Sequence, residues 1–226
     1  CIGTPSHLPC VGGDDGLGMM NDAADSYLYL GWMIDKTDEL QLLSEAVTAN
    51  SVPGNLSLAQ LANLIALATP EPVDVPANLG TIQAPTQLAQ VFEYFLNDIF
   101  ANMLPRPNPP AINGAWDQDW SPIVFPNNPS LSYGNGSGDT VFRLREGIER
   151  FLITDINNPG ASASASSEIY MMFDYVSTFV SDFNHVPGGS NVLYMDGHVK
   201  FLRYPSEAPV STSFAGFISI LQFFDL

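Results

Sequence analysis

The spacing of apolar residues changes period along this chain, and each change predicts an element. Residues 26–34, SYLYLGWMI, alternate aromatic and aliphatic positions and predict a strand. A helical period follows. Thr37 is placed to cap a helix over 38–49, with acids in its first turn. Ser57 is placed to cap another over 58–69, which is apolar almost all round and so is expected to be buried. The longest pattern comes after Thr86, over 87–104. Leu88, Val91, Phe92, Phe95, Leu96, Ile99, Phe100 and Met103 follow the helical repeat for four turns, until PRPNPP ends it.

Residues 69–85 hold four prolines and read as a stiff connector. Residues 105–139 hold seven of the 18 prolines and two of the three tryptophans, which predicts a long irregular loop of the kind that carries function or an interface. Short extended segments are expected at 140–144 and 150–153, a serine-alanine linker within 154–167, and a buried strand at 168–176. The order strand, helices, long loop, strands predicts an α+β fold with a mostly antiparallel sheet and a C-terminal hairpin, in one domain spanning 1–226.

The hairpin comes from FNHVPGGSNVLYMDGHVKFLRYP, residues 183–205. Asp196-Gly197 between two apolar runs predicts a two-residue type I′ turn. That turn pairs Tyr194 with Val199 and Val192 with Phe201, placing these four on one apolar face. Leu193, Met195, His198, Lys200 and Leu202 fall on a mixed face. Backbone requirements account for Asp196. A metal or catalytic centre at His185, Asp196 and His198 needs another converging ligand that the spacing does not supply. His185 is expected to latch its loop to the hairpin by hydrogen bonding.

Charge narrows the functions. Seven Lys and Arg against 24 Asp and Glu leave a net charge of −17, which opposes nucleic acid and anionic lipid as partners. Arg143, Arg145 and Arg150 cluster within FRLREGIER. They form either an anion or partner site or local pairs with Glu146 and Glu149. Cys1 and Cys10 read as a local disulfide in an exported protein. The alternatives are two free thiols, or a lipidated Cys1 that strands Cys10. No apolar run reaches the roughly 20 residues of a membrane span.

The 183–202 stretch resembles the C-terminal H-X9-DG signature of bacterial prepilin-like proteins, through His185, Asp196 and Gly197. SYLYLGW (26–32) and RLREGIERFLITDINNP (143–159) fit the same group. Ten residues rather than nine separate His185 from Asp196, so the turn before the strand is expected to differ from the family pattern. The resemblance implies a pilin-like or pseudopilin-like head, here without its N-terminal apolar helix. Such a head is non-enzymatic and extracellular or at the cell surface, and it self-assembles into a homo-oligomer, pilus-like filament or type II secretion pseudopilus.

Calcium is the cofactor left open, since type II pseudopilins often hold it in a C-terminal loop. Oxygen-rich turns at Asp14 and Asp15, Asp117 and Asp119, Asp139, and Asp155 with Asn157 and Asn158 offer candidate ligands, although none has EF-hand spacing. Asn55-Leu-Ser57 and Asn135-Gly-Ser137 match a glycan acceptor pattern. The greasy C-terminal segment carries Phe214, Phe217, Leu221 and Phe224 at helical spacing, and is expected either to contact a neighbouring subunit or to be buried. The other function considered is a monomeric carbohydrate- or surface-binding module stacking its ligand on Trp116, Trp120 and Tyr133.

Overall fold

The computed structural model describes residues 27–45, 56–68, 75, 77–103, 114–148, 166–178 and 188–221. The fold is α+β. In chain order its elements are β1 (Tyr27–Tyr29), β2 (Leu40–Leu42), α1 (Leu58–Ala68), β3 (Gln83–Pro85), α2 (Thr86–Met103), β4 (Val124–Phe125), β5 (Asn128–Ser132), β6 (Tyr170–Asp174), β7 (Gly189–Tyr194), β8 (Val199–Arg203) and α3 (Thr212–Leu221). Four strands make one sheet in the order β1-β6-β7-β8, antiparallel throughout. β2 with β3 and β4 with β5 make two small antiparallel pairs.

The core lies on one face of the four-stranded sheet. Phe214 of α3 meets Tyr170 and Phe173 of β6 edge-on at 5.7 and 5.5 Å. One turn on, Phe217 meets Phe92 of α2 at 5.2 Å. Trp32, just past β1, packs edge-on against Phe92 and Phe95. Phe214 and Phe217 are therefore buried inside the chain, so of the two alternatives expected for this segment burial holds for these residues and a subunit contact does not. The side chains of Leu221 and Phe224 lie outside the described residues.

α2 forms where the periodicity predicts, but its polar stripe does not face water. Gln87 and Gln90 are buried, and with Asn97 they latch three separate segments to the helix. Asn97 accepts from Leu56 N–H and donates to Leu56 C=O, both at 2.9 Å. Gln90 accepts from Val124 N–H and donates to Val124 C=O. A carboxamide carries a donor and an acceptor, so it satisfies a strand-like peptide as another peptide would. Thr86 opens the helix instead of capping it: its hydroxyl is buried without a hydrogen-bond partner among the described residues.

Ser57 does cap α1, in a reciprocal pair with Gln60: Gln60 N–H donates to Ser57 Oγ and Ser57 N–H to Gln60 Oε1. α1 is not buried all round, since Leu64 and Leu67 are exposed. The expected helix over 38–49 is overturned within its described part. Residues 40–42 form β2 against β3, and Leu43 N–H extends the ladder to Ile82 C=O. Gln41 is buried and accepts from Gln90, so tertiary pairing outweighs local helical preference. The expected irregular loop over 105–139 holds a 3₁₀ turn at Ala115–Asp117 and the β4–β5 hairpin. Residues 140–144 are extended, bridging at Val141 to Trp120 and at Arg143 to Trp32. The expected strand at 150–153 lies outside the described residues.

Candidate functional site

The hairpin that carries the resemblance has a different turn from the one predicted. Tyr194 N–H bonds His198 C=O and Gly197 N–H bonds Tyr194 C=O, closing a three-residue loop with Gly197 at φ +88°. This is a turn with one left-handed residue forming a bulge, where a type I′ turn needs two. The extra loop residue slips the register by one, so Leu193 faces Val199 and Val192 faces Lys200. A one-residue slip sends the slipped strand's side chains to the opposite face. Val192 and Tyr194 stay in the core, and Leu202 joins them, while Val199 and Phe201 turn outward. The expected apolar face is thereby divided between the two sides of the sheet.

Asp196 accepts from His198 N–H at 3.0 Å and lies 2.6 Å from its Nδ1. These contacts, the backbone one foremost, lower the Asp196 pKa. The His198 ring stacks flat on Tyr194 at 4.4 Å. Asp196, Gly197 and His198 thus close the turn. His185 lies outside the described residues, so its expected latch is not placed.

Beside this turn a cleft of about 510 Å³ opens, lined among others by Asp35, Glu168, Tyr170, His198, Lys200 and Glu207. Lys200 pairs with Glu207 at 2.6 Å, and that contact raises the lysine pKa. Tyr170 is buried with no partner for its hydroxyl among the described residues, and burial pushes its pKa well up. Asp35 is held by three donors: Gln87 Nε2, Asn135 Nδ2 and Gly136 N–H. Among the described residues no group of three or more His, Cys, Asp or Glu converges as a metal ion requires.

That network defines the role of 133–136. Asn135 is buried, donates to Met33 C=O and accepts from Phe142 N–H, so its side chain is committed to the fold and not presented as a glycan acceptor. Lys36 caps Gly134 C=O and Gly136 C=O at 2.6 and 2.8 Å. Tyr133 is buried and donates to Asp38, which lowers the aspartate pKa. Burial, then the bond to Asp38, raises that of the tyrosine. Trp120 is also buried, stacked on Tyr94 at 6.0 Å. Trp116 remains half-exposed, packed on Phe95 and Trp32. The three aromatics do not share an open platform, which removes the proposed sugar-stacking surface.

The arginines find acids far along the chain. Arg145 pairs with Asp119 at 2.8 Å, Arg143 approaches Asp117 at 3.5 Å, and Arg143 Nη1 donates to Gly31 C=O. The expected pairing with Glu146 is replaced by these contacts, while Glu149 and Arg150 lie outside the described residues. Arg143 Nη1 and Leu144 N–H, both bonded to Gly31 C=O, tie residues 143–144 to the chain leaving β1. Asp139 accepts from the neighbouring Thr140 hydroxyl, and among the described residues it belongs to no group of three or more metal-ligating side chains. The other calcium candidates, Asp14, Asp15, Asp155 and Asn157, lie outside the described residues, as do Asn55 and the Cys1–Cys10 pair.

The outer face of the sheet holds the feature that the sequence pattern did not reveal. Tyr27, Tyr29, Met172, Val199 and Phe201 are exposed there by 54, 49, 37, 61 and 53 %. Register sets them in rows. Tyr29 faces Met172, Met172 faces Leu193, and Leu193 faces Val199. In the next row Tyr27 faces Asp174, whose carboxylate takes both Asn191 N–H and Nδ2, and Asn191 faces Phe201. The Phe201 ring also reaches over Gly189, where a Cβ would lie 2.4 Å from it. Only the true turn length shows that Val199 and Phe201 belong to this face. No helix of the described residues is long and apolar enough to cross a membrane. Compared with known proteins, the chain matches no family model, no curated protein and no solved structure.

Proposed function

We propose that this chain is a non-catalytic structural subunit: a pilin-like head that self-assembles outside the cell into a pilus-like filament or secretion pseudopilus. The observation that carries this reading is the apolar outer face of the β1-β6-β7-β8 sheet. Three aromatics of about 150–250 Å² each, half-exposed, together with Val199 and Met172, present roughly 400 Å² of exposed surface across this face. Patches of about 300–600 Å² on soluble monomers commonly mark a contact site. The turn chemistry of Asp196, Gly197 and His198 supports the same reading, since it accounts for the motif without a reaction.

Sedimentation velocity across micromolar to millimolar concentration, with electron microscopy at the upper end, tests it. The wild type is expected to gain mass with concentration and to form ordered oligomers. Phe201→Asp is expected to stay monomeric with an unchanged circular dichroism spectrum. A wild-type chain that remains monomeric throughout would sink the proposal.

A further inference from the structure

We infer that the cleft beside the hairpin turn is a binding site for a primary ammonium group on a short alkyl chain, seated between Asp35 and Tyr170. The site does not depend on the assembly reading. At about 510 Å³ the cleft has the size of a small-molecule site, for which about 300–1,000 Å³ is usual.

Asp35 gives the site its charge. Its Oδ1 accepts from Gln87 Nε2 at 2.9 Å and from Asn135 Nδ2 at 2.7 Å, while its Oδ2 accepts from Gly136 N–H at 3.3 Å. All three donors are neutral, and among the described residues Asp35 makes no ion pair. Lys36, next in the chain, commits its ammonium to Gly134 C=O and Gly136 C=O. An ionised carboxylate offers about four lone-pair sites, so Oδ2 keeps room for a further donor. Gln87 and Asn135 are themselves buried, so the carboxylate is fixed in place before any ligand arrives.

Tyr170 is a second and independent sign of a ligand. It lines the same cleft, is only 4 % exposed, and its hydroxyl has no hydrogen-bond partner among the described residues. Buried hydroxyls are nearly always paired. Burial first, and then the charge of Asp35, raise the pKa of this hydroxyl, so the two groups are near neighbours. An ammonium has three donors and no acceptor, so one group can serve both Asp35 Oδ2 and the phenol oxygen.

The other walls fit the same ligand. Ile34, Ile169 and Ala208 supply apolar surface for an alkyl stem. At the rim Lys200 is neutralised by Glu207, so the lysine of the lining does not compensate Asp35. A net charge of −17 draws cations towards the chain. Calcium fits less well, since it takes about six to eight oxygens and no group of three or more metal-ligating side chains converges among the described residues.

Calorimetric titration of the whole chain with pentylamine, at fixed ionic strength and with pentanol as the neutral isostere, tests the site. Pentylamine is expected to saturate a single site, with pentanol at least about tenfold weaker. Tyr170→Phe removes only the unpartnered hydroxyl. It is expected to match or exceed the wild-type urea midpoint while binding pentylamine about tenfold more weakly, a split that a purely structural tyrosine would not give. Acetyl-Gly-Lys-Gly-amide separates the sources of the ammonium: tighter binding than pentylamine assigns it to a lysine of a partner protein, weaker binding to a free amine. Equal binding of pentanol, wild-type affinity in Tyr170→Phe, or uptake that never saturates would each overturn the proposal, the last being general attraction to an acidic surface.

Discussion

Gln87→Met measures what the buried amide of α2 holds together. The Gln87 side chain is fully buried and makes four hydrogen bonds. Its Oε1 accepts from Asp35 N–H and Lys36 N–H, both at 3.1 Å, and its Nε2 donates to Asp35 Oδ1 and Tyr133 C=O, both at 2.9 Å. Methionine has nearly the same length and apolar volume, so little cavity cost is expected. It leaves two N–H groups and one carbonyl without partners, at about 1–3 kcal/mol each where water is excluded. Three of the four bonds are only partly buried and Asp35 keeps Asn135 and Gly136, so the low end applies, about 3 kcal/mol in total. For a chain of this size that corresponds to a fall in Tm of about 6–12 °C. Urea unfolding followed by circular dichroism is the assay, with the midpoint moving and the slope unchanged. Gln60→Met serves as comparison, since it removes one reciprocal cap bond at the start of α1, from an exposed side chain, and is expected to cost about 1 kcal/mol. A Gln87→Met loss below about 1 kcal/mol would refute the reasoning, because the freed groups would then be finding other partners.

Two further predictions concern packing and pH. Gly189→Ala sets its Cβ 2.4 Å from Phe201 Cζ and 2.7 Å from the Leu202 carbonyl oxygen. It is expected to destabilise by about 1–3 kcal/mol, with Phe201→Ala restoring only part of the loss because the carbonyl contact is backbone; full restoration would show that the ring alone is the obstacle. At high pH, burial raises the pKa of Tyr94 to about 12, and those of Tyr133, Tyr170 and Tyr194 are raised as well. The folded state then binds more protons than the unfolded one, so stability holds below the unfolded tyrosine pKa near 10 and falls as pH rises through the folded values. Urea midpoints should be flat from pH 8 to 9.5 and decline from 10 to 12, with tyrosinate absorbance appearing together with unfolding. Normal ionisation of all eight tyrosines in the folded chain would contradict this.

How far the sequence alone leads can be judged at α2 and at the hairpin. The four-turn apolar repeat of 87–104 identified α2 because burial of one stripe is a local periodic property. It did not distinguish Gln87 and Gln90 from solvent-facing residues, since their partners lie 34 to 52 residues away. Residues 40–42 read as helix for a similar reason: their fate depends on pairing with residues 83–85, and local preference is the weaker term.

Asp196-Gly197 determined that two strands meet there and that a glycine takes the left-handed position. Whether the loop holds two residues or three was decided only by the register that the buried faces of Val192, Tyr194 and Leu202 enforce. That single residue decided which side chains meet the core and which form the outer face. The sequence by itself determined the α+β order, the central helix and the existence of the hairpin, because each follows from periodicity or turn chemistry within a few residues. The tertiary structure decided the partners of the arginines, the burial of Phe214 and Phe217 against the sheet, and the exposed rows of Tyr27, Tyr29, Val199 and Phe201. Those depend on which distant backbone a strand pairs with, and strand pairing is a property of the whole fold.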